Sequence, residues 1–172
     1  MTTLGHIIIG GSIGLLSVPR TKMMWRHLII IIAIIAIANI PDWPLPGWGQ
    51  HRLAYSHSLF VNMVVLGCIA MIWIRGAGLV VARRHAMIMT GAILAWLSHF
   101  LLDMLYGDSG VAILWPFSSA KLSLPVPWLH TMPHVPPPFD PVISKIFLME
   151  LLTFSPFLIA AMLIRKKKSV VK

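Results

Sequence analysis

The sequence predicts an all-α polytopic membrane bundle of about five spans, carrying a proline-rich cap loop at its outer face. Three observations lead there: 58% of the 172 residues are hydrophobic against 11% charged, the mean hydropathy is +0.84, and the apolar residues gather in five runs separated by basic or proline-rich stretches. A soluble domain of this size carries about a quarter charged residues, so a deficit this deep leaves too little polar surface to face water. Each helical crossing takes roughly 20 apolar residues, which limits the chain to a single membrane-embedded domain over residues 1–172.

The runs cover residues 4–18, 23–40, 58–74, 86–102 and 142–164. At 15 residues the first is short, rising roughly 22 Å against a hydrocarbon core of about 30 Å, so it should thin the bilayer, borrow from its flanks or be re-entrant. Its leading residues hold no Lys or Arg and no small-residue cleavage site closes it, so it reads as retained rather than as a secretion signal. Gly10 and Gly14 give this run a Gly-xxx-Gly face suited to close helix packing. The second run stops at Asn39-Ile-Pro-Asp42, where Trp43-Pro44-Leu-Pro46 forbids further helix. Ser56-His57-Ser58 opens the third, Ser98-His-Phe-Leu-Leu-Asp103 closes the fourth, and Glu150 lies inside the fifth. The connection from 104 to 141 holds eight prolines with Trp115 and Trp128, a composition for an ordered cap at the membrane interface.

Lys and Arg number 14 against five Asp and Glu, a net charge of +9. On a soluble domain this would suggest nucleic acid, but no basic stripe interleaved with aromatics is present, so no nucleic-acid partner is expected. The basic residues instead sort by membrane side. Arg20, Lys22 and Arg26, then Arg75, Arg83 and Arg84, then Arg165 to Lys168 and Lys172 share one side, leaving Arg52, Lys121 and Lys145 on the other. The positive-inside rule then puts the C-terminus in the cytoplasm and, with five crossings of an inner membrane, the N-terminus outside. The lone cysteine, Cys68, excludes an internal disulfide and a cysteine-based zinc cluster.

This topology gathers His6, Asp42, His51, His57, His99 and Asp103 at the outer face, and sends His27 and His85 to the opposite one. His99 and Asp103, at i and i+4, share a helical face, as two ligands of one ion or a ligand and its orienting carboxylate require; salt-bridged packing is the alternative. Gly91 and Ala95 narrow the same face where a neighbouring helix would approach. His57 abuts an apolar run and His51 precedes it, so both are candidate ligands, with His6 as an N-terminal one; each could equally be a histidine at a wet membrane edge. Arg52 suits an anionic oxygen, phosphate above all. Asp42 could ligate a metal or take a proton from a metal-activated water. Asp108, Glu150, His130 and His134 are secondary, and hydrolysis through Ser12 or Ser58 is a weak third idea. The basic tail reads as an anchor on anionic lipid.

Taken in order, His6 with Gly10, Asp42, His51-Arg52, Ser56-His57-Ser58, Ser98 to Asp103 and Gly110-Val-Ala-Ile-Leu-Trp-Pro-Phe-Ser118 resemble the YdjM family. That LexA-regulated inner-membrane family is classed with metal-dependent hydrolases, and the resemblance extends to about Ser119. The spacing is also similar to that of zinc-dependent phospholipases C and P1-type nucleases. That similarity would make Asp42 the base or ligand, His57 the histidine that follows it, and His99 with Asp103 the helical pair. The chain departs from those enzymes in lacking a later His-x-x-x-Glu pair, and it has Pro44 where a second acid after Asp42 would be expected.

The expected function is metal-dependent hydrolysis of a phosphoester, in a small molecule or a membrane lipid, at the outer face of the inner membrane. His6, His51, His57, His99 and Asp103 would hold a divalent ion, zinc by preference, with Asp42 and Arg52 in catalytic roles. The competing class is a non-enzymatic scaffold or metal-binding membrane protein induced under stress. A transporter would place its ionisable groups near the midplane, which this pattern does not do.

Overall fold

The computed structural model describes residues 3–19, 23–43, 54–106, 110–124, 126–130 and 141–170. Among these residues six α-helices follow one another: α1 (Thr3–Ser17), α2 (Met24–Ala38), α3 (Leu59–Ala77), α4 (Leu79–Arg84), α5 (Ala86–Met104) and α6 (Pro141–Val170). A 3-10 turn, Ile40–Asp42, extends α2, and among the described residues the extended backbone is limited to one isolated bridge, Val111 to Leu122. This is the helical membrane bundle the composition predicts.

Among the described residues, three stretches are long and apolar enough to cross a membrane: Leu59–Ala77, Ala86–Met104 and Pro141–Lys167. α1 and α2 are shorter, at 15 residues each. The second run thus resembles the first in length, because Pro41 and the residues after Asn39 stop the α-helix early.

α1 is central, packing on α2, α5 and α6, while α2 also meets α5. Glycine makes these approaches possible. A Cβ on Gly10 would lie 2.9 Å from Ala38 Cβ and 3.2 Å from Ile35 Cα, so α1 and α2 touch almost backbone to backbone. A Cβ on Gly91 would collide with the Ser17 side chain, so α5 also comes close to the far end of α1. Val18, Ile34, Ala38 and Ala95 bury one apolar cluster between α1, α2 and α5. Ile8, Leu102, Tyr106, Leu129 and Phe154 bury another, which adds α6 and the cap.

Parts of the cap connection seat themselves on helix ends. Leu124 N donates to Met104 O at 2.6 Å and Val126 N to Leu105 O at 2.9 Å, satisfying carbonyls that the end of α5 leaves without intrahelical partners. Residues 112–118 fold into a turn held on α3 by the bond from Leu59 N to Ile113 O at 2.9 Å. At the opposite end of α1, Arg165 of α6 donates to the carbonyls of Leu15 and Val18 and contacts His27. α3 is less closely packed: of its residues only Asn62 is buried, and Phe60, Met63, Val64, Ile69, Met71, Ile72 and Ile74 are exposed.

Candidate metal centre

The start of α1, the end of α2, the approach to α3 and the last turns of α5 meet at one end of the bundle. There His6, Asp42, His99 and Asp103 each offer a ligand atom, all within 4.8 Å of one another. His6, His99 and Asp103 are buried, whereas the Asp42 side chain is 40% exposed and opens the group to solvent.

Each side chain is fixed by its local chain. Asp103 follows His99 by one helical turn, and its Oδ2 lies 3.3 Å from His99 Nε2. The other oxygen, Oδ1, lies 3.6 Å from His6 Nε2. The rings of His6 and His99 stack, with centroids 3.9 Å apart and planes 9° from parallel. The packing of Gly10 against Ala38 sets α1 beside α2, so that His6 and Asp42 arrive at the same level.

His99 Nδ1 lies 2.9 Å from the carbonyl oxygen of Ala38. A carbonyl only accepts, so Nδ1 carries the proton and donates it, and in the neutral ring Nε2 is left as the lone pair facing the group. A backbone acceptor that fixes the tautomer in this way is the usual support of a metal-ligating histidine. Among the described residues, both ring nitrogens of His6 and Nε2 of His99 are buried and find no hydrogen-bond partner. Buried polar atoms are rarely left so, and an ion is one partner that would satisfy them. The donor set of imidazoles and carboxylates suits a divalent ion of the zinc, manganese or iron kind.

His57 stands beside the four. Its Nε2 is 3.1 Å from Asp42 Oδ1 and 3.4 Å from Asp103 Oδ2, and its Nδ1 is 2.9 Å from Ser56 Oγ. Burial opposes its charged form, but the hydrogen bonds to Asp103 and Asp42 outweigh that and raise its pKa above the ordinary value of 6.5. At Asp42 burial opposes ionisation too, yet the contacts with His57 and His99 prevail and hold its pKa below the usual carboxylate range.

The turn that carries His57 is held by Asn62, which the sequence reading passes over. Its Nδ2 donates to the carbonyls of Ser56 and Ser58, both at 2.8 Å, and its Oδ1 accepts from Trp96 Nε1 at 2.8 Å. The available signal is one amide in the otherwise apolar run Leu59-Phe-Val-Asn-Met-Val-Val. Tyr106, also missed, donates to Glu150 Oε1 at 2.9 Å, and Glu150 Oε2 accepts from Gly5 N at 3.2 Å, one residue before His6.

Of the other residues singled out, His51, Arg52, Asp108 and His134 lie outside the described residues. His27 meets Arg165 at the far end of α1, and His130 is exposed in the cap. The Ser12 hydroxyl donates within its own helix to Ile8 O at 2.7 Å. That of Ser58 caps α3 and donates to Trp115 O, so each hydroxyl is engaged with backbone.

The model of the family described as YdjM inner membrane protein matches residues 1–169. No curated protein and no solved structure matches the chain.

Proposed function

The chain belongs to the YdjM inner membrane protein family, and from that premise we propose that it is a membrane-bound, metal-dependent phosphoester hydrolase. The observation that carries the reading is the convergence of His6, Asp42, His99 and Asp103 within 4.8 Å, with the His99 tautomer set by a backbone carbonyl. His6, His99 and Asp103 would hold the ion from the buried side, with Asp42 at its solvent side. A bound divalent ion supplies Lewis-acid activation of the phosphoester and of the attacking water.

The remaining work falls to the chain's own groups. Asp42, the exposed member, is placed to accept the proton of the incoming water. His57, 3.1 Å from Asp42 Oδ1, orients that carboxylate and can carry the proton onward to the departing alcohol. Water adds to phosphorus, the bond from phosphorus to the alcohol oxygen breaks, and the proton finishes on the alcohol. Arg52, two residues before the turn that carries His57, is proposed to steady the phosphate anion, and His51 to supply a further ligand. The charge asymmetry of the loops supports an external centre with the C-terminus in the cytoplasm.

The test is elemental analysis of the detergent-purified protein beside a His99→Ala/Asp103→Ala double variant, followed by hydrolysis of bis(p-nitrophenyl) phosphate. Stoichiometric metal in the parent, absent from a folded variant, with activity that follows the metal is the expected result. A parent that neither contains nor takes up zinc, manganese or iron overturns the reading and leaves a polar packing network in a scaffold.

A further inference from the structure

Beside the metal centre, α3 and the turn after Val111 enclose an open groove of about 630 Å³. Its lining is almost entirely apolar; Phe60, Val61 and Val64 form one wall, and Trp115, Pro116 and Phe117 the other. The two walls meet through Phe60 and Phe117, whose rings pack edge to face with centroids 4.8 Å apart. The groove is tied to the centre by adjacent residues. Ser58, next to His57, donates to Trp115 O, and Leu59 N donates to Ile113 O.

What fills such a groove depends on what surrounds it. α3 is long and apolar enough to span a bilayer, and Val64 and Phe117 are 66% and 77% exposed, so these walls face hydrocarbon. The lining exposes almost no polar surface for a peptide backbone or a sugar, whereas a hydrocarbon chain asks for none. Continuity with the His and Asp cluster supplies the remaining argument. A molecule with its chain in the groove and its head at the start of α3 has its polar part beside His57.

We infer that the groove holds an acyl chain of a phospholipid whose phosphoester is presented to the His6, Asp42, His99 and Asp103 centre. The inference rests on the hydrolase reading and names its substrate as a diacyl phospholipid rather than a soluble phosphodiester. Recognition is divided: chain fit selects a lipid over a soluble ester, and the centre selects and acts on the phosphate-bearing head. A substrate held this way enters sideways from the bilayer.

The test uses the full-length protein in phosphatidylcholine nanodiscs containing phosphatidylglycerol with a diazirine on one acyl chain. Photolabelling should concentrate on residues 60–65 and 115–117. Unlabelled phosphatidylglycerol should compete at least fivefold better than diacylglycerol of the same chains, which lacks the phosphate. Val64→Trp, which fills the groove, should cut the labelling at least fivefold while metal content stays at the parent level. Label spread evenly along α3, or competed equally by diacylglycerol, would mean ordinary boundary lipid and overturn the inference. Cross-links from these residues to a second copy of the chain would overturn it in favour of a dimer contact. Because neither labelling nor metal content requires turnover, a metal-free protein that still labels in the groove defeats the hydrolase reading separately.

Discussion

Tyr106 donates its phenolic hydrogen to Glu150 across the boundary between α5 and α6, at 2.9 Å and with both side chains fully buried. The same carboxyl accepts from Gly5 N, one of the amides that the first turn of α1 cannot satisfy internally. Glu150 therefore caps α1 from another helix, one residue before His6.

Glu150→Ala should leave the Gly5 amide and the Tyr106 hydroxyl buried without this acceptor. Each loss costs about 1–3 kcal/mol, so thermal unfolding in detergent should move clearly downward. Metal affinity should fall with it, because the start of α1 carries His6. Glu150→Gln, which keeps one acceptor oxygen, can retain only one of the two bonds and should fall between the parent and the alanine variant. Parent-like behaviour of either variant would show that the cap contributes nothing.

Gly10 and Gly67 form a matched pair for helix packing. A methyl group at Gly10 meets Ala38 Cβ at 2.9 Å, whereas one at Gly67 meets nothing within 4 Å. Gly10→Ala should destabilise by about 1–3 kcal/mol as α1 and α2 are pushed apart. Gly67→Ala should be neutral or stabilise by roughly 0.5–1 kcal/mol through helix propensity. Chemical unfolding of both variants decides the matter, and the Gly10 variant should also bind metal more weakly.

Asn62→Leu keeps the volume of the side chain and removes its three hydrogen bonds. The carbonyls of Ser56 and Ser58 and the Trp96 indole would each lose a buried partner, at about 1–3 kcal/mol apiece before relaxation. The turn holding His57 should loosen, visible as faster amide exchange at residues 54–58, while α5 and its His99 and Asp103 stay in place.

The metal-free protein should respond to pH through His57 and Asp42. The raised pKa of His57 means its stabilising contribution is complete below 6.5 and is lost as pH climbs through the raised value. The depressed pKa of Asp42 means its contribution is complete above 3.8 and is lost as pH falls through the lowered value. Stability should therefore decline from mildly acidic to alkaline pH, and His57→Gln should flatten that decline. Bound metal competes with protons for its ligands, so the metal-loaded protein should release its ion on acidification, in the direction opposite to the decline through His57.

The apolar runs and their stops were legible because each depends on local sequence, and the meeting of His6, Asp42, His57, His99 and Asp103 at one end because alternate crossings return the chain to the same membrane face. Pro41 stops α2 wherever it is placed, and an i, i+4 spacing puts His99 and Asp103 on one face in any helix. The bond between His99 and Ala38, the cap that Glu150 gives α1, and the bond from Trp96 to Asn62 depend on partners 34 to 145 residues away. No periodicity encodes those pairings. The looser packing of α3 was hidden for a related reason: its composition resembles that of α5, and only packing separates a helix inside the bundle from one beside it.

The acceptor that sets the His99 tautomer is a main-chain oxygen, and this makes the centre resistant to one kind of genetic damage. Point mutation at position 38 can alter the side chain but cannot delete its carbonyl. The vulnerability is displaced to bulk: a larger residue at 38, or any side chain at Gly10, attacks the tautomer by moving the backbone rather than by removing an atom.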